Sequence, residues 1–527
     1  MSTLRISPQK KVQVMKYPPF YFSMAILFPF LLTAAAEKAL PEEMQKVIHQ
    51  TKYDHAIWGV YVKDLKNGNV IFDLNSEKLF SPASTTKLFS TAALLHAFGD
   101  DYRFKTPVFF TGTIENGQLQ GDLILVAQGD LTLGGRTSGT DEISFTKMDH
   151  IIANEVPGVV LTEEDPLNGV NELARQISQK GILEVNGDVI VDDRLFETIE
   201  KRGMILTPIM INENLIDIVI NPTAIDQQAH VTWRPKVPGY TIDNQIKTVA
   251  QEGSLAIDIS ADELGHRILL QGTIPMNQHD LIRTFSIKDP NSFARAALIQ
   301  ALQQHGVKVN LPTTPSNQNR TLNSYKDLQQ VALLTSPPLS EYVKLILKVS
   351  HNLGADLIPL LLASHQGKKT FNDGMRMIGD FVIQEVKISP NAFVFLDGAG
   401  GNENRLTPQA EIQLLEYIQK QTPEKFQHFF NALPILGVDG SLEDFAKQTQ
   451  AKGKVRAKPG TGVAFNLATG KFFLITQAYA GYIEGKNGHL FAYIVVVNNA
   501  TMPSIDDIFQ IFEDEGQLSS VIYNWTL

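Results

Sequence analysis

Cysteine is absent from all 527 residues. That removes disulfides, thiolate zinc sites, a cysteine nucleophile and a lipid-bearing cysteine from consideration. No His-Glu-x-x-His run occurs and the 12 histidines are scattered, which leaves little basis for metal catalysis. Basic side chains are in deficit: 46 Lys and Arg stand against 56 Asp and Glu, a net charge of -10. That balance excludes a uniformly basic nucleic-acid binder, though it leaves room for a local cationic pocket that takes a small anion. Low-complexity, coiled-coil and short-repeat patterns are missing too. What remains is ordinary globular composition, 43% hydrophobic and 19% charged, in a chain long enough for two or three domains.

The N-terminus has its own pattern. Arg5, Lys10, Lys11 and Lys16 precede an apolar run from Phe20 to Leu32, and Ala34-Ala35-Ala36 then stands before Glu37. A basic region, a short apolar region and small residues, in that order, predict a signal peptide over residues 1–36, cleaved near Ala36. The run is short for a membrane span and contains Pro29. Export of the mature chain to the periplasm is the expectation.

Residues 58–63 and 69–73 alternate around Asn67-Gly68, which predicts a β-hairpin with a tight turn. A helix follows from Thr85, with Leu88, Ala92 and Leu95 at helical spacing and Gly99 at its end. From about 100 to 335 short β-like runs recur, at 106–110, 122–127, 188–191, 215–220 and 267–273, with one helical stretch at 291–305. From 339 helices return. Thr407-Pro408 reads as a helix start, 471–483 and 489–498 as apolar strands, and 504–524 as an acidic amphipathic helix that packs on the sheet. The fold class expected is α+β. One domain, 37–99 with 336–527, is split by a mostly β insertion, 100–335, that has room for a nested subdomain.

Three short motifs carry chemistry. In Ser84-Thr85-Thr86-Lys87 the serine and lysine share a helix face, so a desolvated Lys87 can serve as base for the Ser84 hydroxyl. The same spacing also occurs at Ser7–Lys10 and Ser144–Lys147, so alone it is a weak signal. In Ser350-His351-Asn352 a hydroxyl can relay a proton and an amide can hold a substrate amide, although Ser389-Pro390-Asn391 fits that pattern as well. Lys458-Pro459-Gly460 offers an ammonium beside a residue that lets substrate lie against a strand; it is also ordinary turn sequence.

Taken in order, the three motifs resemble the serine-x-x-lysine, serine-x-asparagine and lysine-threonine-glycine set of the penicillin-binding proteins and class A β-lactamases. Ser336 to Glu341, Leu396-Asp397-Gly398-Ala399-Gly400, Asn404 to Pro408, Leu433-Pro434 with Gly437 to Leu442, and Asn212-Glu213-Asn214 narrow the resemblance. They are similar to segments of the low-molecular-mass D-alanyl-D-alanine carboxypeptidase/endopeptidase family, which also carries a long insertion between its first two motifs.

The resemblance implies a β-lactamase/transpeptidase-like fold and a serine enzyme that needs no cofactor and no metal. Its partners would be peptidoglycan stem peptides ending in D-Ala-D-Ala, with β-lactams as inhibitors and no nucleic acid. Ser84 would be the nucleophile, Lys87 the general base and Ser350 the relay to the leaving amine. Asn352, Lys458, Gly460 and Thr461 would bind substrate, with the N–H groups of Ser84 and Thr461 as oxyanion donors. Three departures stand out. Pro459 replaces a threonine and lacks both a hydroxyl and an N–H, which leaves the Thr461 hydroxyl to take its place. Leu353 to Asp356 differs from the usual continuation, and the stretch from Gly460 to Ile483 is longer than usual. A catalytically impaired peptidoglycan-binding homologue and a β-lactamase or esterase of the same fold stay open.

Overall fold

The two alternating runs near residue 60 form β1 (Ile57–Asp64) and β2 (Val70–Leu74), paired antiparallel with Tyr61 opposite Asp73. The computed structural model describes residues 40–137, 139–311, 322 and 324–526, so the signal peptide expected over 1–36 lies outside the described residues. The connection between β1 and β2 is longer than the expected two-residue turn. Asp64 accepts from the Lys66 N–H and the Asn67 amide, and only Gly68 takes positive φ, which makes a wider loop.

Three long strands complete the sheet: β3 (Val455–Asn466), β4 (Lys471–Glu484) and β5 (Leu490–Met502). The order is β2-β1-β5-β4-β3, antiparallel throughout. Residues from both ends of the chain therefore share one sheet, and β3 lies at its edge. The apolar runs of β4 and β5 are continuous because both faces are covered. Ala478, Ala480 and Tyr482 join one core with Ala492, Ile494 and Val496. Tyr479, Ile483, Tyr493, Val495 and Val497 join another.

The first core is made by helices α1 (Thr86–Phe98), α2 (Leu339–Lys348), α3 (Asn352–His365) and α4 (Pro408–Gln419). Thr407 caps α4, its side chain accepting from the Ala410 N–H. The second core is closed by α5 (Asp507–Trp525), which buries Ile511, Leu518 and Ile522 against the sheet.

Between α1 and α2 the chain builds short sheets and two further helices, Asn168–Gln179 and Pro290–Gln304, around a separate core that contains Leu173, Ile218 and Leu298. The strands that enter and leave this region, Lys105–Phe110 and Gln329–Thr335, pair antiparallel with each other. The whole is α+β, as the sequence predicts.

Candidate active site

Ser84 lies in a 3-10 turn, Ala83–Thr85, that runs directly into α1. Ala83 is held at positive φ, a costly conformation for a residue with a Cβ. Its neighbours are buried, whereas Ser84 is only half-buried. The turn is clamped from several sides. The Ser81 N–H donates to Asn498 on β5, and the Ser81 carbonyl accepts from Thr476 on β4. The Thr85 hydroxyl reaches Glu411 on α4 at 3.0 Å.

One turn on, Lys87 is fully buried. Its Nζ is 2.7 Å from Ser84 Oγ, 2.8 Å from Asn352 Oδ1 and 2.7 Å from the Ala399 carbonyl. Burial brings its pKa down to about 7, with the Arg202 guanidinium pushing the same way and Asp356 and Asp397 opposing. A lysine near neutrality, hydrogen-bonded to a serine hydroxyl, is equipped to accept that hydroxyl's proton.

The second motif joins α2 to α3. Ser350 is at positive φ in the joining turn, half-buried, and among the described residues its hydroxyl has no hydrogen-bond partner. His351 is fully buried and caps α3, its Nδ1 accepting from the Gly354 N–H at 3.0 Å. Asn352 follows with its amide oxygen on Lys87.

The third motif lies on the edge strand β3, not in a turn. Proline is tolerated there because an edge strand has a single neighbour to satisfy. A Cβ on Gly460 would fall 2.4 Å from the Pro82 carbonyl and 3.1 Å from the Ser84 nitrogen, so the strand backbone lies directly against the nucleophile's turn. Gly400 approaches from the other side, with positive φ and only 1.9 Å between an added Cβ and the Ala83 carbonyl. Lys458 is fully buried, and its Nζ donates to the Pro459 carbonyl at 2.7 Å. Burial, and then the charge of Lys87, push its pKa well below the usual lysine range. The Thr461 hydroxyl does not substitute for the missing threonine. It donates its hydrogen to Gln477 on β4 at 2.7 Å and so has none to offer a substrate carboxylate in this arrangement.

Several site residues escaped the sequence reading of chemistry. Asp397 organises the loop that offers the Ala399 carbonyl: its Oδ1 accepts from the N–H groups of Ala399, Gly400 and Gly401. Asp356 follows Asn352 by four residues, so the two share a face of α3, and that spacing was a usable signal. Arg202 arrives from a hairpin some 150 positions away and pairs with Asp356 and Asp397, which no local pattern announces.

A serine hydroxyl bonded to a buried, partly deprotonated lysine, with an asparagine on the same amine, describes a serine acyl-transfer hydrolase of the serine–lysine kind. The sequence profile of the D-Ala-D-Ala carboxypeptidase 3 (S13) family matches residues 40–513, and the chain belongs to that family. It is 25% identical over 473 residues to a penicillin-sensitive carboxypeptidase A of Dictyostelium discoideum, covering 86% of this chain and 85% of that protein. It is 23% identical over 497 residues to a D-alanyl-D-alanine carboxypeptidase of Actinomadura, covering 88% and 82%. Penicillin binding protein 4 of Haemophilus influenzae shares the fold with a TM-score of 0.67 at 20% identity, over 91% of this chain and 98% of that one.

Proposed function

We propose that the protein is an exported serine D-alanyl-D-alanine carboxypeptidase/endopeptidase that trims peptidoglycan peptides through an acyl-enzyme and is itself acylated by β-lactams. The observation that carries this reading is the 2.7 Å contact between Ser84 Oγ and the buried Lys87 Nζ, in a chain matched by the family profile from 40 to 513.

Ser84 Oγ attacks the carbonyl carbon of the penultimate D-alanine while Lys87 Nζ takes the hydroxyl proton. The developing oxyanion is received by the N–H groups of Ser84 and Thr461, each worth about 3–4 kcal/mol in such sites. The C–N bond then breaks, and Lys87's proton passes through the Ser350 hydroxyl to the departing D-alanine amine. Water next attacks the ester carbon; Lys87 takes its proton and returns it to Ser84 Oγ as the acid leaves. Asn352 orients the substrate amide. The peptide lies along the open edge of β3, against Gly460, in strand-addition mode. Lys458 contributes by shaping the field beneath Ser84.

The same reading assigns 37–99 and 336–527 to the catalytic domain and 100–335 to an insertion. The shared sheet and the paired entry and exit strands support that division. It also takes residues 1–36 as a cleaved signal peptide and the periplasm as the place of action. No helix among the described residues is long and apolar enough to cross a membrane.

The purified protein is expected to be labelled by a fluorescent penicillin, and Ser84→Ala to remove the label. Incubation with a pentapeptide and a cross-linked dimer, read by mass, identifies the bond cut. A wild-type protein that neither labels nor cleaves would overturn the reading in favour of a peptidoglycan-binding homologue.

A further inference from the structure

Arg202 occupies a conformation that a guanidinium-bearing residue ordinarily avoids. It is the first of two residues joining the strands Ile199–Lys201 and Met204–Leu206, and it takes φ 52 with Gly203 at φ 71. Two successive positive φ values mark the mirror-image hairpin turn, whose first position favours asparagine, aspartate or glycine. An arginine there carries strain, and strain of this kind collects where a side chain is needed.

The side chain it delivers goes to the catalytic centre. Arg202 Nε lies 3.1 Å from Asp356 Oδ2, and one Nη lies 3.3 Å from Asp397 Oδ2. Asp356 is 1% exposed, and its other oxygen, Oδ1, is buried without a hydrogen-bond partner. A buried carboxylate oxygen left open is costly unless something uses it. Asp356 sits one helical turn after Asn352, on the α3 face that meets Lys87. Titratable groups thus act on Lys87 from several elements: Asp356 from α3, Asp397 from the loop that carries Ala399 and Arg202 from the hairpin, while the buried Lys458 amine on β3 feels the charge of Lys87 in turn.

We propose that Arg202 and Asp356 are positioning residues that set the proton affinity of Lys87, with the hairpin 199–206 supplying the cation. The proposal rests on Lys87 acting as the base. Asp356 and Lys87 hold protons in common, and Arg202 limits how tightly the pair holds the last one. In the free enzyme this keeps the Lys87 amine available for the Ser84 hydroxyl near neutral pH. Burial raises Asp356 above the usual carboxylate range, with Arg202 drawing it back, in keeping with a proton shared across the pair. The region between the first two motifs thereby tunes the chemistry without touching the reacting bond.

The test is a titration of Lys87 in the full chain, by NMR with carbon-13 at the lysine Cε, the signal assigned with Lys87→Arg. Asp356→Asn removes a nearby negative charge, so the Lys87 midpoint falls by about one pH unit. Arg202→Gln removes a positive charge, so the pH at which the pair gives up its last proton rises by a similar amount. Asp356→Glu restores the wild-type midpoint. Opposite movements cannot come from loosened folding, and they are readable whether or not the enzyme turns over. The acid limb of penicillin acylation should move in the same directions. Midpoints that stay put in both variants, or move together, overturn the proposal. An absence of wild-type acylation with opposed midpoints overturns the functional reading alone.

Discussion

At the scale of single residues, the site shows how a backbone atom can make a side-chain change harmless. Ala399 has no polar side-chain atom, yet its carbonyl accepts from Lys87, so that contact does not depend on which side chain stands at 399. Glu411 shows the opposite, a side chain whose ionisation matters. It is fully buried, and burial lifts its pKa to about 8, with Thr85 pulling weakly back. A carboxyl whose folded pKa lies above its unfolded value stabilises the fold fully only below about 4.5, and that contribution is lost as pH rises toward 8. Glu411→Gln keeps the neutral shape and has no proton to give up. We expect the variant to match wild type at pH 4.5 and to exceed it at pH 8 by on the order of 4 kcal/mol. Thermal unfolding at the two pH values checks this; equal melting at pH 8 would show that Glu411 ionises freely.

At the scale of elements, the nucleophile's turn is caught between β3 and the 397–401 loop. Both approaches depend on a missing Cβ, at Gly460 and Gly400. Gly460→Ala is expected to move the turn rather than unfold the sheet, because the clash is with the Pro82 carbonyl and the Ser84 nitrogen. A displacement approaching 1 Å at a reacting group costs about 100-fold in rate. Penicillin acylation should fall by roughly that factor while the melting temperature changes little. A wild-type rate in Gly460→Ala would mean that β3 yields instead. The acidic C-terminal helix α5 belongs to the same scale. One of its carboxylates is placed for structure: Asp514 meets Lys52 at 2.5 Å and the Tyr53 hydroxyl at 2.7 Å.

Across the whole molecule, one buried charge network ties the second motif to the distant segment that contains Asn212-Glu213-Asn214. Arg136 bonds Asp149 and Glu213; His150 bonds Glu213 and Asp217; His351 Nε2 faces Asp149 at 3.6 Å. Burial works against every charge here, but Arg136 and His150 still bring Glu213 down to about 2, and Asp217 and Glu213 raise His150 to about 10. Glu213 stabilises the fold above its unfolded pKa, and that contribution is lost as pH falls toward 2. His150 does so below its unfolded pKa, and the contribution is lost as pH rises toward 10. His351, kept neutral down to about 4 mainly by burial, subtracts below its unfolded pKa of about 6.5. The network therefore stabilises most near pH 6.5 and weakens on both sides. Asp149→Asn strands part of Arg136's charge and should cost about 3–5 kcal/mol in denaturant unfolding. A loss below 1 kcal/mol would show that the network relaxes around the gap.

Much of this was open to reading in the chain itself, because it is local. Helical spacing places Ser84 and Lys87 on one face, period-2 alternation marks β1 and β2, and Thr407-Pro408 opens α4; each depends on residues within a turn of one another. The α+β class followed from the same short-range signals. Folding decided everything that depends on distance along the chain. Only the closed structure turns the Thr461 hydroxyl toward Gln477, buries Lys87 so that its amine is free to take a proton, and brings Arg202 to Asp356. Those outcomes come from burial and from charges that meet across more than a hundred residues, and neither quantity exists in an unfolded chain.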